Sequence, residues 1–170
     1  MEIKYFNSNF DKITQNKDTD QSITNLIEKL PSLNIISDKN LLEETIKISK
    51  QFKEKKEKII VFGTGGSNLG ARALNNIISN NKIILEFYDN VDPINFEKNF
   101  QNINFELTGF LVISKSGTTP ETLSQFSCLY QKAIEANKVE AFFSNTLIIT
   151  EFKESPLFKL EKKPDMLSES

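Results

Sequence analysis

The four residues Ile59-Ile60-Val61-Phe62 form an unbroken apolar run that ends directly in a glycine-rich turn, Gly63-Thr64-Gly65-Gly66-Ser67-Asn68-Leu69-Gly70. A strand with no polar face must be covered on both sides, which is the situation of a central strand in a parallel sheet. Three further runs read as strands: Ile83–Tyr88, which carries Glu86, Phe110–Ile113, and Leu147–Thr150. Segments of helical period separate them. After the glycine-rich turn Leu69, Ala73 and Ile77 share one helix face, and Asp92-Pro93 supplies an N-cap followed by proline at the first helical position. Thr119-Pro120-Glu121 opens a longer helix with Leu123, Phe126, Ser127, Tyr130 and Ile134 on its inner side. Alternation of this kind predicts an α/β fold: a three-layer α/β/α sandwich with a parallel sheet, flavodoxin- or Rossmann-type in topology, with right-handed crossovers. In such sheets ligands bind beyond the carboxyl ends of the strands. Loops 63–70 and 114–119 both leave strands at that edge, so the topology predicts that they converge.

Before the first strand, Ile23, Leu26, Ile27 and Leu30 suggest a short amphipathic helix stopped by Pro31. Asp38 is placed to cap a second helix, with Leu41, Leu42, Thr45, Ile46, Ser49 and Phe52 on one stripe. The charge run Lys53–Lys58 reads as the solvated end of that helix. Residues 151–170 read as a polar tail. The expected division is an N-terminal helical segment over 1–37, the α/β domain over 38–160 and a tail over 161–170.

The 170 residues are enough for one packed domain. The net charge of −2 gives no general attraction to nucleic acid or to an anionic membrane. An anionic ligand must therefore be caught locally, by amides, hydroxyls and a few lysines. No apolar run approaches the roughly 20 residues of a membrane span, and the N-terminus lacks a signal-peptide core, so a cytoplasmic protein is expected. Cys128 is the only cysteine and falls on a stripe read as packing. Histidine is absent, which removes the commonest general base and the commonest metal ligand. Arg72 is the single arginine among 21 basic residues, a lysine bias of the kind an AT-rich coding sequence produces.

The glycine-rich turn fits neither common nucleotide motif. A dinucleotide fingerprint starting at Gly63 requires glycine where Asn68 stands, and a P-loop requires lysine after Gly70, where Ala71 stands. Open amides at a helix start favour an anion, and Ser67 adds a hydroxyl; a tight turn made for packing explains the glycines equally well. The second loop is more specific. Ser114, Ser116, Thr118 and Thr119 bring four hydroxyls together, Lys115 adds a cation and Gly117 permits an unusual backbone angle. That donor set suits a phosphate monoester. The alternative, Thr118 or Thr119 as a helix cap with Glu121 closing a capping box from Thr118, accounts for one or two of the hydroxyls only.

The two segments in this order, Gly63–Gly70 and then Ile113-Ser114-Lys115-Ser116-Gly117-Thr118-Thr119-Pro120-Glu121-Thr122, resemble the first sugar-isomerase (SIS) domain of the glucose-6-phosphate isomerase family. Leu147–Glu151 and Ser155-Pro156-Leu157 resemble the strand and turn that follow in that family, and the resemblance runs from about residue 40 to about residue 160. It implies glucose 6-phosphate and fructose 6-phosphate as ligands. By position, Gly66 and Ser67 contact the ligand from the first loop. Ser114, Lys115, Ser116 and Thr119 hold the phosphate from the second, with Gly117 and Thr118 shaping the loop. The family moves a proton between C1 and C2 through an enediol without metal or organic cofactor, and its members are usually dimers in the full-length form. Its glutamate base, its histidine and lysine for ring opening and its arginine lie in later motifs, so the resemblance assigns no catalytic residue here and implies that this chain is the phosphate-binding half of such an enzyme. A non-catalytic SIS-type module that binds a phosphosugar is the alternative.

Overall fold

The computed structural model describes residues 17–30, 35–78 and 82–162. The chain divides into two compact units, residues 1–48 and 49–170. In the first, α1 spans Lys17–Lys29, a 3-10 turn spans Ile35–Ser37, and α2 starts at Lys39 and runs on to Phe52. Asp38 caps α2 as the sequence suggests, its Oδ1 accepting the Leu41 amide at 3.0 Å. The apolar stripe of α1 (Ile23, Leu26, Ile27, Leu30) is exposed, as are Leu41, Leu42 and Ile46 of α2. The Pro31 stop lies outside the described residues.

The second unit is the α/β body. Its elements are β1 (Lys58–Phe62), α3 (Gly66–Ile77), β2 (Ile84–Tyr88), α4 (Pro93–Phe100), β3 (Thr108–Ile113), α5 (Pro120–Glu135), α6 (Val139–Ser144), β4 (Thr146–Ile149) and α7 (Pro156–Lys162). The sheet has the order β2-β1-β3-β4 and every neighbouring pair is parallel. The expected α/β architecture is therefore what the chain adopts. The charge run after α2 is a turn, with Lys55 at φ 60°, and its last residue, Lys58, already belongs to β1, where its Nζ lies 2.8 Å from Glu86 Oε1 on β2.

Alternation along the central strands sorts the core. Ile60, Phe62, Phe110 and Val112 point to one face and bury Phe100 of α4, Phe126, Leu129, Tyr130 and Ala133 of α5, Phe142 of α6 and Leu157 of α7. The chain has no tryptophan and 14 phenylalanines, and phenylalanine rings supply the bulk of this layer. Phe96 and Phe100 lie 4.2 Å apart between ring centroids, and Phe110 and Phe142 lie 5.2 Å apart. On the opposite face Gly109 admits Phe52: a Cβ there would come within 3.0 Å of Phe52 Cζ and 3.3 Å of Ile59 Cγ1.

Three expectations need correction. The inner stripe of α5 is Thr122, Gln125, Phe126, Leu129, Tyr130 and Ala133; Ser127, Cys128 and Ile134 are exposed. Gln125 is buried because its Nε2 donates to the Asn90 carbonyl at 2.7 Å, a tertiary bond that no periodicity reveals. On α3, Leu69 and Ile77 share a face as expected, but that face is outward, with Leu69 60% and Ile77 76% exposed; the residue that α3 buries is Asn68. Residues 156–162, read as tail, are the helix α7, in which Pro156 takes the first helical position and Ser155 caps, its Oγ accepting the Phe158 amide at 3.3 Å.

Candidate functional site

β1 and β3 are adjacent, with Phe62 paired to Val112, so the turns that leave them start side by side. Gly63 marks the contact. A Cβ at this position would press on Ser67 Cβ at 3.2 Å and on the Ile113 carbonyl at 3.3 Å. The convergence expected from topology is thus present at the bases of the two loops.

The first loop turns at Gly65, which has φ 55° and occupies the N-cap position of α3 without a side-chain cap. Non-glycine residues adopt such an angle at a cost. Asn68 ties the turn together: it is fully buried, and its Nδ2 donates to the Gly63 carbonyl at 3.1 Å. Its Oδ1 is buried without a partner among the described residues. In the sequence Asn68 stands out only as the residue that excludes a dinucleotide motif. An amide-bearing side chain one turn from the end of a buried strand was the available sign of this staple. Gly66 differs from its neighbours. It has no positive φ, and a Cβ on it would meet no atom within 4 Å. Packing accounts for Gly63 and backbone geometry accounts for Gly65, but neither accounts for Gly66.

The second loop is folded on its own hydroxyls. Ser114 is buried at 3% exposure, and its Oγ lies 2.8 Å from Thr119 Oγ1. The Gly117 amide donates to Ser114 Oγ and to the Ser114 carbonyl, each at 3.1 Å. Ser116 Oγ accepts the Thr118 amide at 3.2 Å and the Thr118 hydroxyl at 3.0 Å. Gly117 has φ 65°. Thr119 is the N-cap residue of α5, yet its side chain makes no capping bond. The alternative reading, a capping box between Thr118 and Glu121, does not form, because Thr118 lies one residue before the cap and its hydroxyl is turned to Ser116. The first-turn amides of α5 consequently keep their donors free of side-chain caps. Among the described residues the backbone amides of Lys115, Ser116 and Thr119 have no acceptor either. Lys115 reaches outward, with Nζ 3.6 Å from Glu151 Oε2.

Chemically, the site is a rim of hydroxyls and uncapped amides with one exposed cation, placed at the starts of α3 and α5. Its hydroxyls accept within the loop, as Ser114 Oγ and Ser116 Oγ do, and its uncapped amides and Lys115 donate, a set that suits an anion with several oxygens. Among the described residues no three Cys, Asp or Glu side chains gather as a metal site requires, and no helix is long and apolar enough to cross a membrane.

Known proteins align with this region. A glucose-6-phosphate isomerase of Campylobacter jejuni is 36% identical over 95 residues, 54% of this chain and 23% of that protein. One from Carboxydothermus hydrogenoformans is 38% identical over 122 residues, 64% of this chain and 26% of that protein. The crystal structure of a glucose-6-phosphate isomerase from Chlamydia trachomatis superposes with a TM-score of 0.59 at 25% identity, over 68% of this chain and 23% of that one. The chain thus spans about a quarter of the length of the curated relatives it matches. The family model for phosphoglucose isomerase matches residues 21–154, which contain both loops and all four strands, and the chain belongs to that family.

Proposed function

We propose that this chain supplies the phosphate grip of a glucose-6-phosphate isomerase, the enzyme that interconverts glucose 6-phosphate and fructose 6-phosphate in glycolysis and gluconeogenesis. The observation that carries the reading is the second loop, where hydroxyls and uncapped amides converge at the start of α5 with Lys115 beside them. In this reading Ser114, Lys115, Ser116 and Thr119 hold the phosphate, while Gly117 and Thr118 set the loop's shape. Gly66 and Ser67 approach the same ligand from the start of α3, and the empty space over Gly66 admits it. The SIS domain is taken as residues 38–160.

The isomerisation itself needs an acid–base pair at C1 and C2. No residue of this chain is given that role: Glu121 lies in the first turn of α5 and Glu151 is paired with Lys115. The chain's part is to bind and orient the substrate, in a cytoplasmic, homodimeric enzyme. Binding energy from a phosphate remote from the reacting carbons lowers the barrier at those carbons when it fixes their geometry. The test is calorimetric titration of the chain with glucose 6-phosphate and with glucose. Binding of the phosphate ester but not of glucose is expected; equal response to both, or to neither, would overturn the assignment.

A further inference from the structure

Gly117 is held from behind. Its φ of 65° already favours glycine, and the space on its Cα is closed as well. A Cβ there would overlap the Cβ and Oγ of Ser155 and lie 2.9 Å from Thr150 Oγ1. Ser155 is 5% exposed and fixed by its place as the cap of α7. Leu157, two residues on, is fully buried in the core beside Phe126 and Phe142, and its amide donates to the Gly117 carbonyl at 3.2 Å. The Lys115 carbonyl is taken from the same side, by the Glu151 amide at 3.1 Å and the Thr150 hydroxyl at 3.4 Å.

These contacts decide which way the loop's peptide planes face. In a trans peptide the carbonyl of one residue and the amide of the next are antiparallel, and the described chain has no cis peptide. Fixing the Lys115 oxygen toward residues 150–151 therefore aims the Ser116 amide the other way. Fixing the Gly117 oxygen toward Leu157 turns the Thr118 amide the other way as well, where Ser116 Oγ takes it at 3.2 Å and is itself held at the loop's outer side. A flip of either plane would turn an oxygen toward the place where an anion's oxygens must sit. Glycine, with its wide backbone freedom, is where such a flip meets least resistance.

We propose that the 150–157 turn is a peptide-plane lock for the loop, and that Ser155 is its positioning residue, closing the space into which Gly117 would otherwise relax. The lock deepens the phosphate reading and rests on it for its purpose, but its mechanics are visible in the free protein. Leu157 anchors the lock in the core and Ser155 transmits it to Gly117. The ligand gains donors already aimed, so less ordering is required on binding.

The experiment combines amide hydrogen exchange, in the absence of ligand, with titration by inorganic phosphate. It uses the wild type, Ser155→Gly, Ser155→Ala, Gly117→Ala and the double variant Ser155→Gly with Gly117→Ala. Ser155→Gly is expected to speed exchange at Gly117 and Leu157 about tenfold and to weaken phosphate binding by a similar factor. Ser155→Ala loses the cap hydroxyl but keeps the Cβ, so it should exchange at Gly117 as the wild type does. Gly117→Ala should lose binding, and adding Ser155→Gly should restore part of it. Wild-type exchange at Gly117 in Ser155→Gly, or no recovery in the double variant, would overturn the lock. A wild type that shows the expected exchange pattern but does not bind phosphate would sink the phosphate reading and leave the lock standing.

Discussion

The hydroxyls of Ser114 and Thr119 lie 2.8 Å apart, so the cap residue of α5 is turned to the end of β3 and leaves its own helix uncapped. A helix start is ordinarily stabilised by about 1 kcal/mol through such a cap. Here that contribution is given up and the loop is closed instead. This contact ties the two hydroxyls into one hydrogen-bonded pair.

Their removal should accordingly be non-additive. Ser114→Ala and Thr119→Ala should each weaken glucose 6-phosphate binding by about 1–3 kcal/mol, the usual cost of losing a hydrogen bond to a charged group. The double variant should lose less than the sum, with a coupling of about 0.5 kcal/mol or more. Calorimetry on the four proteins checks this; strict additivity would mean that the two hydroxyls act independently.

The glycines of the first loop should separate by what their Cβ would meet. Gly63→Ala presses on Ser67 and on the Ile113 carbonyl, and should cost about 1–3 kcal/mol in stability. Gly66→Ala meets nothing, so the protein should melt as the wild type does or slightly higher, since alanine orders more cheaply in a helix. Its phosphosugar affinity should fall nonetheless, because the methyl occupies the approach. Melting curves and titrations together give the answer; a Gly66→Ala protein with unchanged affinity would remove Gly66 from the site.

Asn68 should matter for stability more than an amide in a surface turn. Asn68→Ala strips the Gly63 carbonyl of a donor in a fully buried place and should cost about 1–3 kcal/mol, read as a shift of the denaturant midpoint. Asn68→Asp should be worse, since it replaces that donor with a buried negative charge facing an oxygen.

Tyr88 gives a pH signature. Its burial, and then the neighbouring Glu86 carboxylate, hold its phenol above the ordinary value of about 10. The fold therefore prefers the neutral phenol. The stability it contributes is intact below pH ~10 and is lost as pH rises through the raised value. Urea midpoints measured from pH 9 to 11 should fall more steeply for the wild type than for Tyr88→Phe; identical slopes would refute the coupling.

Much of this was legible in the residues. Ile59–Phe62 and Phe110–Ile113 announced central strands because they carry no polar face, and Asp92-Pro93 announced α4 because a cap and a fixed φ coincide; both Asp92 bonds are present, to Ile94 and Asn95. What failed shares a cause. Thr122, Gln125 and Asn68 are polar and buried, so a rule that seeks the apolar stripe puts α3 and α5 in the wrong rotation. Gln125 donates its Nε2 to a backbone carbonyl in the β2–α4 turn, a partner far away in sequence, while its buried Oε1 has no partner among the described residues. α7 was missed because Leu157, Phe158 and Leu160 sit among lysines and glutamates. In the site, the hydroxyl-rich loop stands out in the sequence, and the alternative in which Thr118 or Thr119 merely caps the helix does not form, because Thr119 is turned to Ser114 and Thr118 to Ser116.

The closed space between Gly117 and Ser155 has a historical consequence. Two positions far apart in the chain share one volume, so position 117 cannot gain a side chain while 155 keeps its own. A lineage that placed any side chain at 117 must first, or at once, have withdrawn the one at 155. Across descendants the pair should therefore drift together, and a mismatch between them would mark a loop that had taken up a different task.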